Sequence, residues 1–161
     1  MSSCTAVKKN VLIYFAVFVL SVIVDQLIKR FLIGNIGLNN SREFIPGLIN
    51  LTVVQNTGGA FSILNQHPSC FKIIGLANVV IFSFLTFCPT AAFNLCIKTG
   101  CAFVLGGSLG NLIDRLTYGS VIDFIEPVFV NFAIFNMADV FINAGVALIL
   151  IGWIRNSNKI N

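Results

Sequence analysis

Four apolar stretches, 11–33, 70–93, 99–116 and 136–154, dominate this chain. Each is close to the ~20 residues an α-helix needs to cross a bilayer's hydrocarbon. Lipid offers no partner to a bare N–H or C=O, so such a stretch must close its own hydrogen bonds as a helix. Of the 161 residues, 57% are hydrophobic and 10% charged, where soluble domains average roughly 25% charged. The expected fold is a mainly α membrane protein, four transmembrane helices in one domain over 1–161. Lys8 and Lys9 followed by an apolar run imitate a secretory signal, but Asp25-Gln26 stands where a small-residue cleavage site would be. The first stretch is therefore expected to remain as a span. Trp153, near the end of the fourth, suits a membrane interface.

The segments between spans are of two kinds. A polar stretch of about thirty residues, 35–64, contains the β-branched run 48–54 after a Pro46-Gly47 turn signal, and a second turn signal at Asn56-Thr57-Gly58-Gly59. It predicts a small sheet lying on the membrane surface. The segment 118–135 reads as a short outer loop between spans three and four.

Four spans put both ends of the chain on one side. That side carries Lys8, Lys9, Lys98, Arg155 and Lys159 and no acid. The other carries Lys29, Arg30, Arg42, Lys72, Arg115 and all six acids. The cations tie, so the basic start and tail decide: both termini are expected in the cytoplasm and the acids at the outer face.

Those acids are the chemical clue. A carboxylate in or beside hydrocarbon costs several kcal/mol and marks a functional site by default. Asp25 and Lys29 form an i, i+4 pair, read either as an interfacial salt bridge with Lys29 snorkelling to headgroups or as a charged rim that helps place substrate. The pattern Asn-x-x-Asp occurs at Asn111/Asp114 and at Asn136/Asp139. Each Asn can orient its own carboxylate or face a shared cavity, and Asn136 can equally cap the fourth helix with Asp139 in its first turn. Arg115 beside Asp114 suits an ionised, structural carboxylate. Asp123 and Asp139 have apolar neighbours and no adjacent cation, the setting in which one carboxyl keeps a proton while its partner takes one from water. They are the expected catalytic pair, with Asp114 and Arg115 as support.

Other chemistries lack their residues. His67 is the lone histidine, there is no G-x-S-x-G or H-E-x-x-H, and the five cysteines show no zinc spacing. No metal, cofactor or nucleic-acid partner is expected. Gly106, Gly107 and Gly110 give the small-residue spacing of close helix packing. A proton-coupled transporter and a non-enzymatic assembly factor compete as readings, but acids gathered at one surface beside a strand-rich flap fit neither.

Taken together the segments resemble signal peptidase II, the bacterial lipoprotein signal peptidase. The resemblance is carried by Asp25-Gln26-Leu27-Ile28-Lys29, by Asn56 to Ser62 (N-T-G-G-A-F-S), by Gly106 to Arg115 (G-G-S-L-G-N-L-I-D-R) continuing through Val121-Ile122-Asp123-Phe124-Ile125, and by Phe135-Asn136-Met137-Ala138-Asp139. It implies an aspartic endopeptidase of the bacterial inner membrane, and a monomer among membrane lipids is expected. Such an enzyme cuts diacylglyceryl-modified prolipoproteins just before the lipid-bearing cysteine and is inhibited by globomycin-type peptides. By matching positions the catalytic pair is Asp123 and Asp139, with Asn56, Asn111, Asp114, Arg115 and Asn136 around it. The stretch 126–134 departs from the family pattern, being short and without the tryptophan and late proline often found there.

Overall fold

The computed structural model describes residues 2–58, 68–89 and 93–157. Gly59 to Ser62 of the second motif, His67 and Lys159 lie outside the described residues. The elements run α1 (Ser2–Asn35), β1 (Ser41–Ile45), β2 (Ile49–Asn56), α2 (Pro68–Phe87), α3 (Leu95–Thr117), β3 (Val121–Pro127) and α4 (Met137–Ser157). All four helices are long and apolar enough to cross a membrane.

Local chemistry explains the boundaries. Gly37, at φ +86°, donates to Leu32 O and ends α1 in the left-handed conformation that glycine tolerates. α3 starts four residues before the expected 99 because Asn94 caps it, its Oδ1 accepting from Ile97 N at 2.9 Å. α2 stops at Phe87, short of the expected 93, with Pro89 just beyond, which cannot continue a helix.

α3 is the central helix. It packs against α1, α2 and α4, and 72% of its spanning window is buried against 17%, 11% and 17% for the other three. Glycines make this possible. A Cβ on Gly100 would lie 2.6 Å from Gly145 O of α4, and one on Gly110 2.7 Å from Asp25 Oδ2 of α1. Of the glycines singled out by spacing, Gly106 meets Phe18 O of α1 and Gly107 meets Ala138 O of α4, so α3 comes close where a side chain would hold its neighbours apart.

The sheet is antiparallel with order β1-β2-β3. The Pro46-Gly47 signal does form the β1–β2 turn, with Gly47 at φ +69°. β3 was not foreseen: it lies inside 118–135, read from sequence as loop. It pairs Val54 with Asp123 and Asn56 with Val121. Val53, Ile122 and Phe124 bury against Leu32, with Ile28, Ile36 and Met137 packed alongside, so the sheet sits on the C-terminal end of α1. Strand alternation then turns Asp123 away from this cluster, between Ile122 and Phe124.

Candidate active site

A cleft of about 430 Å³ opens where α3, β3 and the start of α4 meet. Asn56, Asn111, Arg115, Asp123 and Asp139 line its polar wall, and Phe132, Phe135 and Val140 its apolar one. Five elements thus converge on one place: β2 ends at Asn56, α3 supplies Asn111 and Arg115 a turn apart, β3 supplies Asp123, and Asp139 enters one turn into α4. The fifth, α1, contributes from behind.

Asp123 is 3% exposed. Its Oδ2 accepts from Asn56 Nδ2 at 2.8 Å and its Oδ1 from Asn136 Nδ2 at 2.6 Å. Burial pushes its pKa up to about 6. Asp139 adds to the rise, while the hydrogen bonds from Asn56 and Asn136 and the charge of Lys29 oppose it. Asp139 Oδ1 accepts from Asn111 Nδ2 at 2.9 Å, and its Oδ2 from Asn136 N at 3.2 Å.

Both sequence readings of Asn136 hold at once. Its Oδ1 accepts from Asp139 N at 3.0 Å while Asp139 answers its own N–H, a reciprocal cap on α4. Its Nδ2 simultaneously bridges Asp123 and Asn111 Oδ1, the latter at 3.1 Å. The cap and the cavity share one side chain. The Asn-x-x-Asp pattern, by contrast, does not pair each Asn with its own carboxylate at 111: Asn111 donates across to Asp139 on α4.

Behind the cleft lies a buried charge cluster. Lys29 Nζ stands 2.8 Å from Asp25 Oδ2 and 2.7 Å from Asp114 Oδ2. The Asp25–Lys29 pair therefore forms, but neither as a rim nor at the headgroups: Asp25 is fully buried and Lys29 nearly so. Asp25 Oδ1 accepts from Ala138 N at 2.9 Å, so α1 helps cap α4. Asp114 pairs with the cation of Lys29 rather than with that of the adjacent Arg115. Its Oδ2 also receives Ile122 N at 3.1 Å, tying α3 to β3 next to Asp123. Arg115 turns the other way, over the Phe71 ring of α2 at 5.3 Å, and interacts electrostatically with Asp139, Asp123 and Asp114.

All nine residues singled out from sequence thus converge, five on the cleft wall and Asn136, Asp114, Asp25 and Lys29 behind it. Two were missed. Gln26 Nε2 donates to Asp114 Oδ1 at 2.9 Å and to Gly110 O at 3.2 Å, lacing α1 to α3. Asn143 lines the cleft and donates to Asp139 O at 3.0 Å. Its signal was available, one helical turn after Asp139 on the same face. Two carboxyls in unlike settings on one cleft can divide acid and base roles. Among the described residues no group of three or more His, Cys, Asp or Glu is arranged to hold a metal ion.

Known proteins resemble this chain along most of its length. The family described as signal peptidase (SPase) II matches residues 17–155. The lipoprotein signal peptidase of Lactobacillus johnsonii is 36% identical over 152 residues, 94% of this chain and 98% of that protein. The lipoprotein signal peptidase of Streptococcus pneumoniae is 38% identical over 149 residues, 92% of this chain and 95% of that protein. A solved bacterial membrane enzyme shares the fold with a TM-score of 0.80 at 33% identity, covering 91% of this chain and 90% of its own. Four membrane-crossing helices, a small antiparallel sheet and this degree of likeness make the chain a multi-pass bacterial membrane protein that belongs to the signal peptidase II family of peptidases.

Proposed function

We propose that the protein removes signal peptides from diacylglyceryl-modified prolipoproteins, cutting just before the lipid-bearing cysteine with water activated between Asp123 and Asp139. One observation carries the aspartic reading: two carboxylates from different elements face one cleft and are bridged by a single asparagine, Asn136.

The roles divide by setting. Asp123 is the more buried, and burial raises its pKa to about 6, so it is the one that keeps a proton to higher pH and donates it to the scissile carbonyl oxygen. Asp139, the less buried of the two, takes a proton from the attacking water. Hydroxide adds to the carbonyl carbon, and the tetrahedral intermediate collapses as the C–N bond breaks. The leaving amine of the cysteine departs with the proton Asp139 took up, and Asp123 recovers its own from the collapsing hydroxyl. Arg115 and Asn56, on the same wall, supply donors for the substrate backbone. The apolar side, with Phe132, Phe135 and Val140, suits a signal helix and its lipid entering sideways from the bilayer.

The test is cleavage of a diacylglyceryl-modified prolipoprotein by the detergent-solubilised protein beside its Asp123→Asn and Asp139→Asn variants. Loss of roughly 10⁴-fold or more in kcat for each, with the fold retained, is expected for a residue that touches the reacting atoms. Near-wild-type turnover by either folded variant overturns the pair, and moves suspicion to Asp114 if the variant is Asp123→Asn. Inhibition of the wild type by a globomycin-type peptide is expected as well.

A further inference from the structure

Lys29 is 2% exposed and does not line the cleft, so it cannot touch a substrate bound there. Its ammonium has three hydrogens and no lone pair. Three acceptors surround it: Asp25 Oδ2, Asp114 Oδ2, and Asn111 Oδ1 at 3.2 Å. Two of these acceptors are its acidic partners in ion pairs. The third contact orients a dipole. A carboxamide has one accepting end and one donating end, and only oxygen can face an ammonium. With Asn111 Oδ1 turned to Lys29, Asn111 Nδ2 is turned to Asp139 Oδ1.

We propose that Lys29 is a positioning residue for the peptidase reaction, holding the Asn111 amide in the one flip that aims an N–H at Asp139. The proposal rests on Asp123 and Asp139 being the catalytic pair. Without Lys29, only the N–H that Asn136 shares with Asp123 orients the Asn111 oxygen. A neutral, shared donor holds it about half as strongly as a charged one. In the opposite flip a carbonyl oxygen would face the Asp139 carboxylate and push it from its place. The other carboxylate is aimed in the same way. Asn136 Oδ1 is held by an N–H at the α4 N-terminus, which leaves Asn136 Nδ2 for Asp123. Each carboxylate is thus oriented by an asparagine whose oxygen is fixed by positive charge, an ammonium for one and a helix end for the other.

The experiment uses the full-length solubilised enzyme and a diacylglyceryl-modified prolipoprotein. Asn111→Asp keeps an acceptor for Lys29 but has no N–H for Asp139. It is expected to lose about 100-fold in kcat with KM within about twofold. Lys29→Met leaves two buried carboxylates unbalanced and risks not folding, so it is made with Asp25→Asn and compared with Asp25→Asn alone. It should lose a similar factor in kcat. In an Asn111→Ala background the same Lys29 change should cost nothing more, because its effect passes through Asn111. Wild-type kcat for Asn111→Asp overturns the proposal. So does a Lys29 effect undiminished in the Asn111→Ala background, or one confined to KM. If the Lys29→Met variants fail to fold, Lys29→Gln in the Asp25→Asn background, which keeps hydrogen-bonding groups but no charge, takes their place. A fall in kcat is then expected, and kcat equal to that of Asp25→Asn alone overturns the proposal. Asp123→Asn and Asp139→Asn run in the same assay: their retained activity would sink the catalytic pair itself, whereas inactivity of both beside a fully active Asn111→Asp would sink only the positioning role.

Discussion

Asp123 binds its proton more tightly folded than unfolded, and this sets the sign of its contribution to stability. Its pKa rises from 3.8 to about 6, chiefly by burial. Between those values the folded chain holds a proton that the unfolded chain has released, so stability falls as pH rises through the window. At 1.36 kcal/mol per unit, the loss is on the order of 3 kcal/mol, complete above about pH 6 and absent below about pH 4. The thermal midpoint of the solubilised wild type should therefore drop across pH 4–6.5 by more than that of Asp123→Asn, which lacks this component. Parallel curves for the two proteins would mean Asp123 is not desolvated. At this scale the sequence was readable where chemistry depends on residue type. An acid in or beside an apolar stretch announces itself, and Asp25, Asp114, Asp123 and Asp139 all do. It was unreadable where it depends on approach. Arg115 adjoins Asp114 along the chain, yet successive helical positions point apart, and the cation that meets Asp114 comes from α1. No spacing rule within one segment finds a partner on another.

α3 carries the site because its glycines admit its neighbours. Gly107 abuts Ala138 O in the first turn of α4, next to the Asn136–Asp139 cap, while Gly100 meets Gly145 O roughly two turns nearer the other end of the helix. Substitution by alanine overpacks both contacts, at a cost of about 1–3 kcal/mol each. The consequences should separate. Gly100→Ala should lower the thermal midpoint while the folded fraction cleaves at the wild-type kcat. Gly107→Ala should lose stability and also kcat, since it pushes the turn bearing Asp139 away from Asn111. Thermal unfolding paired with single-turnover cleavage reads both, and equal kcat for the two would break the link between this contact and the site. The helices were legible from length and apolarity alone. β3 was not, because V-I-D-F-I-E-P lacks polar–apolar alternation: both faces of 121–124 are buried, one on the Leu32 cluster and one on the cleft. A strand buried on two faces looks like any apolar run, and only its pairing with β2 reveals it.

The whole molecule is polarised along its helices. The sheet, the cleft and all six acids gather at one end, and α1 begins and α4 finishes at the other, where Asn94 Nδ2 donates to Gly152 O and Lys98 lies over Tyr14. Placing carboxylates at an end rather than at mid-depth spares them the cost of hydrocarbon and leaves the cleft where water can enter. Such a layout works in only one orientation if its substrate's mature part lies outside the membrane. The tie in Lys and Arg between the two ends leaves that orientation to experiment. In a background with the five native cysteines replaced, Leu48→Cys, at the exposed hairpin turn, should react with a membrane-impermeant maleimide on intact cells. Arg155→Cys, at the far end of α4, should react only after permeabilisation. The reverse pattern would put the cleft in the cytoplasm. There it could not meet a translocated prolipoprotein, and the proposed substrate would have to be given up even if the carboxylates proved catalytic.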